Sequence, residues 1–438
     1  MLSESVRSWG RVLRPSHHVV PMSSRTAVLD AIAAQAGADA SHAPLPMLPY
    51  GNGRSYGDSN LNPGGILLEM RPLDRIIEFD PHSGVLTCEA GVLLSEILAF
   101  GVPQGWFPMV TPGTQFVTVG GAIANDVHGK NHHRAGSFGN QVRQFELLRS
   151  DGTRMVCSPE KNADWFAATI GGLGLTGVIT WATLQLRAIA NPYVDTETIR
   201  FRSLEEFFEL SAASEADHEY SVAWIDCAFS GKRLGRGLFN RGNHAPAELD
   251  LALVPPGQRH RADARELRVP VTPPVSLINS VTLKAFNLAY FHRQRGDRVR
   301  LLQPYRPFFY PLDAILEWNR IYGPRGFYQY QCVVPRAGGD QAIQAMLREI
   351  ALAGQGSFLA VLKTFGERQA RGLLSFPQPG VTLALDFPNL GAPTIRLLDR
   401  LDAVLQQAGG RLYPAKDARM SAALFQRGYP QLAAFTRF

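Results

Sequence analysis

The sequence predicts an α+β protein of more than one lobe, on three observations. The chain has 438 residues, more than one ordinary hydrophobic core accommodates. Strand-like runs, polar on one face, stand with helix-period segments between them, which fits antiparallel sheets backed by helices. Residues 111–140, TPGTQFVTVGGAIANDVHGKNHHRAGSFGN, hold six glycines and three histidines with neither helix period nor strand alternation. A loop of that size inside a large domain serves a ligand more often than it serves packing.

Composition narrows the class. A content of 45% hydrophobic and 19% charged residues is that of a soluble globular protein. A net charge of +6 favours an anionic ligand or an acidic membrane surface. Nucleic acid is disfavoured, because the excess is small for the length and no run of five like charges occurs. Cys88, Cys157, Cys227 and Cys332 are far apart and form no C-x-x-C pair, which argues against a zinc ribbon or disulfide scaffold and suits buried thiols in a reducing compartment. The N-terminus has no apolar signal core, and no apolar run is long enough to span a bilayer. A cytoplasmic protein is expected, with peripheral contact to the inner membrane left open.

In chain order, residues 23–36 read as a capped helix and 45–50 as a short strand entering the turn-rich GNGRSYGDSNLN. Residues 75–91 form a hairpin about PHSG, 93–100 a short helix, and 145–157 a second hairpin about Asp-Gly. A helix over 163–170 precedes GGLGLTG and the strand VITWATLQL, and Asn191-Pro192 closes the first lobe near residue 190. Beyond it the strands YSVAWIDCAF, FYQYQCVVP, SFLAVLKTF and VTLALDF stand among the helices SLEEFFELSAA, GDQAIQAMLREIALA and TIRLLDRLDAVLQQA. A basic insertion, 255–305, carries the apolar stretch VTLKAFNLAYF. It either lies against anionic lipid, covers a lipid phosphate, or is a solvated excursion. The polar loop RLYPAKDAR and a short helix over 421–426 end the chain.

Gly172-Leu-Gly174-Leu-Thr-Gly177 matches the dinucleotide fingerprint but follows a helix and precedes a strand, the reverse of a Rossmann unit. Three glycine-rich loops in one lobe (GNGRSYG, the 111–140 segment and GGLGLTG) together suggest a backbone N–H cradle for a diphosphate. His128, His132 and His133 give H-x-x-x-H-H, but no acidic ligand follows at useful spacing, so no metal is expected.

These loops, in this order, resemble the vanillyl-alcohol-oxidase type of FAD-binding domain. Within it, GRSYGD, the 111–140 segment, VLKTFG, LDFP and RLYPAKDAR resemble the decaprenylphosphoryl-β-D-ribose 2′-oxidase family over nearly the whole chain. The resemblance implies a two-lobed fold: residues 1–190 as the FAD-binding part, 191–408 as an antiparallel-sheet substrate lobe, and 409–438 returning to the FAD site. It implies oxidation of a polyprenylphosphoryl ribose at its 2′-hydroxyl, with a short-chain reductase partner for the keto product. The alternatives are a related FAD oxidase of an alditol, sugar lactone or other glycosyl phosphate, and a non-catalytic protein that binds a lipid phosphate. By the same resemblance Gly53, Arg54, Ser55 and Tyr56 wrap the pyrophosphate and flavin edge. Gly113, Thr114, Thr118, Gly120, Gly121, Ala122 and His128 line diphosphate and ring, and Ser137, Gly139, Gly174, Gly177, Val178 and Tyr413 complete the FAD contacts. Tyr56, Lys130, Trp224, Gln329, Gln331, Lys363 and Lys416 are the expected substrate contacts; the two glutamines share one sheet face by alternation. Arg54 stands where flavin-tethering relatives often carry histidine, so non-covalent FAD is expected.

His128 and Lys416 are the catalytic candidates. A histidine beside the alcohol carbon can accept the hydroxyl proton, though a structural loop histidine fits the same pattern. A lysine can stabilise negative charge on a reduced ring, bind a sugar hydroxyl, or act as the base when desolvated. Relatives carry a cysteine where this chain has Ala384, so a thiol there is dispensable and inhibitors that trap it should fail here.

Overall fold

The computed structural model describes residues 3–36, 44–249 and 266–438; residues 255–265 of the basic insertion lie outside it. Three main sheets organise these residues, beside a short parallel pair of Leu267–Arg268 with Ile315–Leu316. The first has four strands in the order Ser3–Ser5, Ser16–Pro21, Ile66–Glu69, Met47–Tyr50, the last three parallel. Its crossover helix, Arg25–Ala36, buries Val28 and Ile32 against Ile66 and Leu68. The second sheet is antiparallel, in the order Ile76–Asp80, Val85–Glu89, Val178–Ala188, Val142–Leu148, Arg154–Cys157. Both hairpins turn on glycines at positive φ, Gly84 and Gly152, where a side chain would strain the backbone.

The strand ending at Ala188 belongs to the second sheet, and the one beginning at Tyr193 joins a third. That sheet has eight antiparallel strands: Arg298–Pro304, Tyr193–Phe201, Gly237–His244, Tyr220–Ile225, Val361–Phe365, Gly380–Pro388, Phe327–Val334 and Arg411–Leu412. Strand periodicity divides its side chains between two environments. Tyr330, Cys332 and Val334, with Leu383, Leu385 and Leu362, face Leu204–Ser214, Gly339–Leu352 and Ala392–Gln407, whose apolar stripes complete the largest core. Gln329, Gln331, Lys363, Thr382, Ala384 and Asp386 face the opposite way, into a cavity. Because Arg411–Leu412 pairs with Phe327–Val334, the C-terminal segment adds an edge strand to the large sheet before it reaches the first lobe.

Four strands of the large sheet were not expected: Tyr193–Phe201, Gly237–His244 and Arg298–Pro304, whose charges and glycines blur the alternation, and Arg411–Leu412, two residues at the start of the segment read as a polar loop. The 111–140 segment, expected to be irregular, contains the helices Val119–Ala124 and His132–Ala135. Gly120 and Gly121 cost about 1 kcal/mol each in a helix. Thr118 offsets this by accepting from the Gly121 amide, and Val119, Ala122 and Ile123 bury in the second sheet's core. VTLKAFNLAYF lies within the helix Ser280–His292.

Candidate active site

A cavity of about 1650 Å³ separates the glycine-rich loops from the polar face of the large sheet. Its sheet side follows from strand pairing. Gln329 lies opposite Asp386, Gln331 opposite Ala384, and Lys363 opposite Thr382, and directly opposed residues project to the same face. Trp224 lies opposite Val361 and extends the wall; its indole N–H donates to the Phe358 carbonyl at 2.7 Å.

The loop side is built by close backbone approach. A Cβ at Gly57 would collide with the Asp417 carbonyl, and the Tyr56 amide donates to the Ala415 carbonyl at 2.9 Å. The first glycine loop and the C-terminal polar loop are thereby fastened together, and Lys416 Nζ lies 3.7 Å from the centre of the Tyr56 ring. Gly53 and Gly174 have φ of +59° and +80°, and a Cβ at Gly113 would meet no atom within 4 Å, so that backbone faces open cavity. Arg54 lies over Trp9, 4.2 Å from its ring centre.

This wall fits the expected dinucleotide cofactor. Arg54 Nε, Ser59 Oγ and Asn125 Oδ1 are buried without a hydrogen-bond partner among the described residues, and all belong to cavity-lining residues. Buried polar groups in native proteins are otherwise almost always satisfied; these await a polar ligand.

Near the sheet, charge is concentrated. Burial, then neighbouring Lys130 and Lys416, lowers Lys363 from 10.5 to about 7. Burial lowers Lys416 to about 7 against the opposing pull of Asp386, and Lys130 to about 8 against Asp313. Asp386 is itself pushed up to about 7 by burial, which outweighs its hydrogen bond from Gln329 (2.6 Å) and the nearby Lys416. Lys130 donates to the Phe309 carbonyl at 2.9 Å and Lys363 to the Gly129 carbonyl at 3.3 Å. His128 is held neutral by burial, then by Lys363, His132 and Lys416. Its Nε2 lies 2.9 Å from the Gln331 amide nitrogen. With the amide assigned that way, Nε2 accepts and the ring proton sits on Nδ1.

Of the expected site residues, Gly53, Arg54, Ser55, Tyr56, Gly113, Thr114, Thr118, Gly120, Gly121, His128, Gly174, Gly177 and Tyr413 line the cavity. So do Lys130, Trp224, Gln329, Gln331, Lys363 and Lys416. Four do not reach it. Ala122 and Val178 are packed in the apolar cores of the first lobe. Ser137 is fully buried and its hydroxyl bonds Asn140. Gly139 donates its N–H to Asp126 Oδ1, and a Cβ there would press on Ile170. These four support the loop from behind. The three histidines also diverge: His132 packs 4.4 Å from Phe365 and His133 bonds the His218 carbonyl. Residues not anticipated include Asp386, Tyr310 and Asp313. Asp386 was within reach of the sequence, two residues beyond Ala384 in the same strand; Tyr310 and Asp313 carry no local signal, and bind Thr111 (2.6 Å) and the Gln115 amide (2.8 Å) across lobes.

Comparison with known proteins supports the FAD-binding fold. An FAD binding domain family matches residues 29–158. The chain is 36% identical over 445 aligned residues to the decaprenylphosphoryl-β-D-ribose oxidase of Mycolicibacterium smegmatis, covering 99% of this chain and 93% of that protein. It is 30% identical to cytokinin dehydrogenase 7 of Oryza sativa subsp. japonica over 41% of this chain and 36% of the plant protein. It is 34% identical to mouse (Mus musculus) L-gulonolactone oxidase over 28% of this chain and 27% of that enzyme.

Proposed function

This chain belongs to the decaprenylphosphoryl-β-D-ribose oxidase family of FAD-dependent oxidoreductases, and we propose that it oxidises the 2′-hydroxyl of a polyprenylphosphoryl-β-D-ribose to the 2′-ketone. The observation that supports this most directly is one cavity in which Lys363, Gln329 and Gln331 of the sheet face His128 and Lys416 of the loops, beside glycine-rich backbone shaped for a dinucleotide. Bound FAD supplies the acceptor for the hydride, at its N5. FAD is held non-covalently, because Arg54 has no nucleophilic nitrogen at neutral pH.

The protein's own groups divide the remaining work. Lys416, with its pKa near 7, has a substantial amine fraction at neutral pH and takes the hydroxyl proton. His128, engaged through Nε2 by Gln331, presents Nδ1–H as a donor that orients the sugar. Gln329 and Gln331 bind ribose hydroxyls from one sheet face. Lys130 and Lys363 offset the substrate phosphate. A separate reductase acting on the keto product completes conversion to the arabinose form.

The test is anaerobic flavin reduction by a panel of substrates. A short-chain polyprenylphosphoryl ribose should bleach the flavin, and xylitol or gulonolactone should not. Lys416→Ala and His128→Ala should retain FAD and slow bleaching about 100-fold or more. Bleaching by the simple sugars alone, or wild-type rates in both variants, contradicts the reading.

A further inference from the structure

The helix Ser280–His292 is apolar on nearly every side yet buries only a stripe: Leu283, Asn287 and Phe291. A helix with that pattern is ordinarily enclosed. Here Val281 is 74% and Leu288 42% exposed, and Ala285 and Ala289 are open between them. The strip leading into the helix continues the surface with exposed Val271, Val275 and Leu277. Thr282 Oγ1 bonds the Leu277 carbonyl at 2.9 Å, which joins strip and helix.

Charge around this surface is mostly basic: Glu266 is its one carboxylate between residues 266 and 295, against Arg268, Lys284, Arg293 and Arg295. The helix has no acidic residue and adds Lys284. Arg293 and Arg295 follow it, and none of the three has a carboxylate at ion-pair distance among the described residues. The same stretch lines the cavity mouth: Arg268, Tyr290, Arg293 and Arg295 all border the substrate space. An apolar surface flanked by a cationic excess, here Lys284, Arg293 and Arg295, is the pattern of a segment lying in the headgroup region of an anionic bilayer.

We propose that residues 266–295 form a membrane-docking surface whose occupant is the face of an anionic lipid bilayer. Seated there, the cavity opens directly onto the bilayer. A lipid phosphate passes under the arginines while its hydrocarbon chain stays in the membrane. This rests on the proposed lipid-linked substrate for its purpose, but not for its test.

The FAD-loaded protein is sedimented with vesicles of phosphatidylcholine alone or mixed with phosphatidylglycerol. Binding to the mixed vesicles alone, weakened about tenfold in Val281→Asp/Leu288→Asp, is expected; both positions are exposed, so flavin content should be unchanged. That variant should also match wild type on a water-soluble short-chain substrate and fall behind on a long-chain substrate held in vesicles. Absence of sedimentation with mixed vesicles, or equal binding by wild type and variant, overturns the proposal. So does a lipid-free dimer that the variant dissociates, which would assign the surface to a second copy of the chain. Failure of the short-chain substrate itself would instead strike the proposed reaction and leave the docking result standing.

Discussion

Replacing Lys363 by methionine should stabilise the flavin-depleted protein while impairing the enzyme. The ammonium is half-buried beside Lys130 and Lys416, and its pKa falls from 10.5 to about 7. At about 1.4 kcal/mol per pH unit, charging it in the folded state costs about 5 kcal/mol. Partial solvent screening halves this to about 2.5 kcal/mol. Losing the bond to the Gly129 carbonyl returns about 1 kcal/mol, so the variant gains about 1.5 kcal/mol at pH 6.5. The sign depends on pH. Between about 7 and 10.5 the unfolded lysine holds a proton that the folded one lacks, so wild-type stability rises across this window. By pH 9.5 the screened penalty has shrunk to about 0.7 kcal/mol and the variant loses its advantage. For a chain of 438 residues, 1.5 kcal/mol is about 1.5 °C in Tm, within reach of calorimetry and of denaturant titration at the two pH values. A variant that melts below wild type at pH 6.5, or whose difference does not change by pH 9.5, would refute the claim that this amine is held at an energetic cost for function.

Two further predictions bear on the site. In Asp386→Asn the neighbour that raises the Lys416 pKa is gone, so the acidic limb of flavin reduction should move about one unit to lower pH; an unmoved limb disproves the coupling, and complete loss of the limb makes Asp386 the base. Ala384→Cys should remain active and acquire one adduct with a thiol-reactive electrophile by intact mass, whereas wild type, with all four cysteines buried, should acquire none; labelling of both proteins would refute the placement.

How much of this was legible in the chain depends on how local the cause is. Hairpins, the helices behind the large sheet and the glycine loops are decided within a few residues, and the structure has them close to where the pattern places them. Gln329 and Gln331 were placed on one face by alternation alone, and both line the cavity. The helix Val119–Ala124 escaped because its propensity is poor and its stability comes from burial in a sheet whose strands lie up to about sixty residues away in sequence. Ala122, Ser137, Gly139 and Val178 illustrate the converse. They sit in motifs that resemble cofactor loops, and a motif does not distinguish residues facing the ligand from those holding the loop.

Lys416 marks the limit most clearly. By itself, a Lys-Asp pair after a proline reads as surface. In the structure the neighbouring Ala415 carbonyl is bound by Tyr56, from a loop about 360 residues earlier, and Asp386 arrives from a third segment. Two of these three groups carry charge that is costly to bury alone. Lys416 and Asp386 attract one another through charge, each opposing the neutralisation that burial favours in the other, and this makes their joint burial tolerable. It also means that neither group's titration belongs to it alone, so the pH profile of the Asp386→Asn protein, rather than that of either lysine variant, is the measurement that separates a lysine base from a coupled pair.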